Sequence, residues 1–192
     1  MKTSRQKYFE DYRAEKETAN NKKGYKIVYT YKGEWYGWNE APTAIRKRKI
    51  FYVVALLACT ALLLLCGAQR VYLNTVGVVA IPGLISLVSV MYTWIGTVQF
   101  CLTKELVRAK ECKTMYSFIE KGSVVTALCY SISTISSVYL LFRHGADLTS
   151  VLVTLGFALC AGISFSLYYQ HEKLSYKKQI EAEREDSESG DR

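Results

Sequence analysis

The sequence predicts an all-α membrane protein: a four-helix transmembrane bundle running up-down-up-down with both termini inside (N-in/C-in). A short cytoplasmic N-terminal β-hairpin and an amphipathic cytoplasmic middle loop complete it. Three observations predict this class. Four long stretches between Ile50 and Gln170 lack Asp, Glu, Lys and Arg, and each matches the ~20 apolar residues that cross a ~30 Å hydrocarbon layer. Of the 25 Lys and Arg residues, 13 precede the first stretch, 5 lie between the second and third, and 5 follow the fourth. Tyr, Trp and Phe gather near the ends of the stretches, where amphipathic rings favour the headgroup layer.

Span one, Ile50 to Ala68, follows the basic block Arg46-Lys47-Arg48-Lys49, which resists translocation and holds this end inside. No cleavable signal peptide is expected, because residues 1–49 contain no apolar core and span one exceeds the length of one. Span two is placed at 75–100, with a kink expected at Pro82 and Gly83, because proline removes a helical hydrogen bond and clashes with the preceding turn. Spans three and four are placed at 122–142 and 148–169, joined by an outer loop of a few residues. The other outer loop is equally short, so no extracellular binding domain is expected.

Three domains follow: a basic cytoplasmic region 1–49, a four-span domain 50–170, and a charged cytoplasmic tail 171–192 whose end should be disordered. Residues 2–20 are expected as a short solvated helix or loose tail, with an interfacial helix presenting Tyr8, Phe9 and Tyr12 as the alternative. From Tyr25 onward aromatic and aliphatic residues alternate with period two, predicting a hairpin over 25–38 that turns at Lys32-Gly33. Its aromatic residues Tyr29, Tyr31, Trp35, Tyr36 and Trp38 are candidates for a headgroup anchor or a partner interface. The middle loop, 104–121, shows three-to-four spacing of apolar residues. It predicts an amphipathic helix that lies on the inner leaflet or projects as a helical hairpin turning near Cys112 to Thr114. The stretch after Tyr169 is expected to continue span four as a charged helix.

No span holds an ionisable side chain, which lowers the odds of ion-coupled transport and of intramembrane proteolysis. Span three carries hydroxyls in a stripe: Ser123, Thr126, Tyr130, Ser133, Thr134 and Ser137. Span four has a row of small residues, Gly156, Cys160 and Ser164, and span one offers Ala55 and Cys59. These rows are candidates for helix packing, or, for span three, for a pore wall. The six cysteines show no CxxC spacing and the two histidines fall on opposite membrane faces, so no metal and no cofactor is expected. His171 and Glu172 read as an interfacial pair. A net charge of +8 is assigned to an anionic inner leaflet rather than to nucleic acid. The expected role is non-enzymatic: a subunit or scaffold of a bacterial inner-membrane assembly, with a protein partner or a homo-oligomer. An oligomeric channel or transporter is the alternative and a membrane enzyme ranks third.

Overall fold

The computed structural model describes residues 12–18, 25–31, 33–103, 106–174 and 176–179. Four helices dominate: α1 (Pro42–Ala68), α2 (Gly77–Leu102), α3 (Ala109–His144) and α4 (Leu148–Glu172). Each is long and apolar enough to cross a membrane. Span two begins slightly later than expected, because Thr75 closes a 3₁₀ turn over Tyr72–Thr75. Pro82 falls near the start of α2 and the helix runs unbroken through it, where the missing N–H costs one bond to the Val78 carbonyl. Gly83 next to it faces open space.

The helix ends are capped by named groups. Gly145 adopts φ +90° after α3 and returns its N–H to the Leu141 carbonyl. Asp147 accepts from the Ser150 N–H at 3.1 Å to start α4. Asn74 donates to the carbonyls of Cys66 at 2.8 Å and Gln69 at 2.9 Å, closing the end of α1.

The bundle is apolar on its outside as well as within. Its outer surface exposes aliphatic side chains along every helix, among them Leu57, Leu84, Ile135 and Leu159, an apolar belt far larger than water tolerates. Its interior holds two apolar clusters bridged by Trp94 and Ile163. One centres on Cys59, Val90, Tyr130, Phe157 and Cys160, and the other on Tyr52, Leu56, Phe100, Met115, Ile119 and Leu167. The α2–α3 contact is very close: a Cβ at Gly96 would lie 2.8 Å from Ile119 Cγ1 and 3.0 Å from its backbone nitrogen. At Gly122 it would overlap Thr93 Oγ1 and sit 3.2 Å from the Ser89 carbonyl. Glycine is required at both places because the backbones themselves touch.

Five short strands lie outside the helices. Tyr12–Thr18 (β1) pairs antiparallel with Tyr25–Tyr31 (β2), Tyr12 facing Tyr31 and Thr18 facing Tyr25. Trp35–Trp38 (β3) is central in a three-stranded sheet, between Leu106–Arg108 (β4) and Tyr176–Gln179 (β5). Several expectations are corrected here. Among the described residues, 25–31 and 35–38 do not pair with each other. The seven-residue register with β1 offers β2 a longer partner than the four residues of β3. Residues 12–18 are strand, not helix or tail, while 1–11 lie outside the described residues. The tail does not extend span four: α4 stops at Glu172, Leu174 is buried, and β5 follows, with 180–192 outside the described residues. In the middle loop α3 is helical from Ala109 through Cys112 to Thr114, so the expected turn there is absent, and the short strand β4 precedes α3 instead.

Replacing Gly122 with Val should force α2 and α3 apart and lower stability by about 1–3 kcal/mol, read as thermal unfolding in detergent. Gly162→Ala, which meets open space in α4, should be neutral or slightly stabilising. Equal behaviour of the two variants would contradict the close α2–α3 contact.

Candidate functional site

The three-stranded sheet closes the end of the bundle where α1 starts, α2 stops, α3 starts and α4 stops. Two cations of the basic block tie these ends together. Arg48 donates to the Gln170 carbonyl at 2.6 Å and forks onto Glu40 at 2.8 and 2.9 Å. Lys49 donates to the carbonyls of Thr103 at 2.7 Å and Cys101 at 3.3 Å, with its ammonium 5.5 Å from the Phe100 ring centre. Both therefore occupy the carbonyl ends of helices, where the macrodipole favours positive charge.

Beneath the sheet sits a ring cluster that sequence reasoning missed. His171 is fully buried, its ring tilted at 36° to that of Tyr116 with centroids 4.2 Å apart, with Nδ1 3.4 Å from Tyr52 Oη and Nε2 3.3 Å from the Tyr116 carbonyl. A carbonyl only accepts, so Nε2 carries the proton and Nδ1 accepts from Tyr52, a pattern the neutral imidazole satisfies. Burial, reinforced by Arg48, pushes the His171 pKa down to about 4. The interfacial pairing with Glu172 is thereby replaced: Glu172 is exposed and His171 points inward. The available signal was its place on the Cys160, Ser164, Leu167 stripe of α4, all four being buried. Tyr176 of β5 extends the cluster, 5.7 Å from Tyr116 and 5.2 Å from Trp38. Its hydroxyl is buried beside the Cys112 thiol, and burial raises its pKa. Burial likewise pushes the neighbouring Cys112 thiol up to about 11.

The hairpin candidates separate into two groups. Trp38 packs edge-on to Phe100 at 5.3 Å and Tyr31 to Trp35 at 5.3 Å, so both belong to the closed base. Tyr31 also donates to the Glu34 carbonyl at 3.2 Å, and Tyr36 to the Glu34 carboxylate at 3.2 Å. Arg108 lies over the rings of Tyr12, Tyr31 and Trp35 at 5.4–6.0 Å, joining the β1–β2 hairpin to the sheet. Tyr25, Ile27 and Tyr29 project away, Tyr29 being 58% exposed. Beside β4 an open cavity of about 830 Å³ is walled by Trp35, Gln99, Leu102, Val107, Arg108 and Met115. A second, of about 370 Å³, lies over Tyr36, Cys112, Tyr116 and Tyr176.

Within the spans, Ser123, Thr126, Tyr130, Ser133 and Ser137 are all buried inside this single chain, and Thr134 is partly buried. Ser133 donates to the Val79 carbonyl at 3.3 Å and Thr134 to the Tyr130 carbonyl at 2.7 Å. Thr126, Tyr130 and Ser137 keep hydroxyls without partners among the described residues. Gly156 packs against Cys66, Cys160 lies 3.7 Å from the Cys59 carbonyl, and Ser164 lies 3.9 Å from Cys59. The small-residue rows of α1 and α4 thus face each other. Trp94 reaches inward to Thr60 Oγ1 at 3.0 Å. Among the described residues no three His, Cys, Asp or Glu side chains converge as a metal site would require.

No family model, curated protein or solved structure matches this chain.

The His171 geometry carries a pH dependence. An unfolded histidine takes up its proton near 6.5 and the buried one near 4, so the unfolded state binds more protons between these values. The contribution to stability is complete above about pH 6.5 and is lost as pH falls toward 4. Between pH 7.5 and 4.5 the native chain should lose on the order of 2–3 kcal/mol more than His171→Gln, measured by thermal unfolding in detergent. Parallel pH profiles for the two proteins would remove His171 as the cause.

Proposed function

We propose that this chain is a non-enzymatic subunit or scaffold of a membrane assembly, run up-down-up-down, with both termini and the base sheet in the cytoplasm of a bacterial inner membrane. The observation that carries the reading is the asymmetry between the two ends of the bundle. One end has a few loop residues, whereas the other presents a sheet, a cavity of about 830 Å³ and an exposed aromatic hairpin. Such a surface suits a protein partner or a second copy of the chain: rigid aromatic anchors beside a pocket are what interface hot spots are made of.

Burial of the span-three hydroxyls against other helices of the same chain favours a packing role over a pore wall.

Mild-detergent co-purification from the native host tests the role. A stoichiometric partner or defined oligomer should be retained by the native chain and lost from Ile27→Asp and Tyr29→Ala while both variants still insert. Trp38→Ala is expected instead to weaken the fold itself. A monomer that retains no partner, or a partner indifferent to Ile27 and Tyr29, would sink the reading. Orientation is tested separately with an impermeant thiol reagent on intact cells: Ala146→Cys should react and Lys47→Cys should not, whereas the reverse pattern would invert the topology.

A further inference from the structure

On the lipid-facing side of the bundle, α2 and α3 leave a shallow groove of about 370 Å³. Its floor is the close contact at Gly122, where Ser89 Oγ donates to the Gly122 carbonyl at 2.8 Å and so satisfies that carbonyl. Ile85, Val88 and Tyr92 of α2 and Val125 of α3 form its walls, and a single charge, Lys121, stands at its lip. The helices run antiparallel here, since Gly96 meets Ile119 and Ser133 meets Val79. Lys121 and Tyr92 therefore mark the end nearer the sheet, and Ile85 the far end.

The position of this lysine calls for a counter-charge. It lies beside the middle of α2, a helix with no charged residue from Val71 to Thr103. Gly122, the next residue, packs on Thr93, which at 1.5 Å per residue is about 14 Å from the end of α2 at Leu102. A lone ammonium at that depth is costly unless it snorkels or meets an anion. Among the described residues no carboxylate lines the groove, and Glu120, the nearest in sequence, acts on Tyr116, which is not part of the groove.

We propose that this groove is a binding site for an anionic phospholipid of the leaflet on the sheet side, with the phosphate on Lys121 and one acyl chain along Val88, Val125 and Ile85. A slot with apolar walls and one cation at its mouth has the same division as the lipid: a chain in the slot and a negative headgroup at the lip. The inference rests on the membrane-spanning fold and is independent of the subunit role.

Native mass spectrometry of the full chain released from detergent tests it, with phosphatidylglycerol and phosphatidylcholine of identical acyl chains added in equal amounts. The native chain should retain phosphatidylglycerol about five-fold over phosphatidylcholine, the scale of one basic side chain against an anionic lipid. Lys121→Gln should bring that ratio to one, and Lys113→Gln, on the same helix but outside the groove, should leave it unchanged. Val88→Trp, which fills the slot, should lose the retained lipid altogether. Equal retention of both lipids by the native chain would overturn the proposal. So would an equal loss with Lys113→Gln, or a selectivity that survives Val88→Trp.

Discussion

Two side chains at the start of α1 hold the end of the bundle shut. Carbonyls at a helix C-terminus have no partner of their own, and near a membrane the cost of leaving them bare rises because water is scarce. Arg48 takes the Gln170 carbonyl of α4 and Lys49 takes those of Cys101 and Thr103 at the end of α2. One short basic block thus fixes α1 against two other helices, and Glu40 holds Arg48 in place. The sheet, the buried His171 and the two cavities beside the sheet gather at this end. Residues that a topology argument counts only as positive charge are also hydrogen-bond donors with assigned acceptors.

The interior follows from the same shortage of water. Lipid already solvates leucine, so burying aliphatic groups yields little, and many stay outside while Leu56, Ile119 and Leu167 are enclosed. Inside it places groups that gain from proximity: glycines that let backbones touch, cysteines and serines that fill small gaps, and hydroxyls that bond a carbonyl on their own or a neighbouring helix. Ser89 to Gly122 and Ser133 to Val79 are bonds of the second kind. This accounts for a span-three stripe that is polar in sequence yet, apart from the half-buried Thr134, enclosed in one chain.

The spans were legible because a ~30 Å apolar layer imposes length and charge rules on sequence directly. The small-residue rows were legible for a related reason: only close packing needs Gly156, Cys160 and Ser164 one turn apart. Strand pairing was not. Period-two alternation marks Tyr25–Tyr31 and Trp35–Trp38 as strands but carries no address for a partner, and their true partners lie far off in sequence at Leu106–Arg108 and Tyr176–Gln179, or in a stretch, Tyr12–Thr18, too charged to read as strand. The tail was misread because helix propensity in Gln179 to Glu185 says nothing about Leu174 and Tyr176, which the base draws inward. His171 was hidden for a similar reason, since its partners Tyr52 and Tyr116 come from two other helices.

At the centre of this account is a sheet that binds the segments before α1 and after α4 to each other across the clamped end. Paired cysteines in intact membranes probe it directly, in a background where the native cysteines are replaced by serine or alanine. Tyr36 and Lys178 are register partners, and cysteines placed at these two positions should crosslink. Cysteines at Tyr29 and Tyr36, which a local hairpin turning at Lys32-Gly33 would align, should not. Crosslinking of the second pair and not the first would contradict the account.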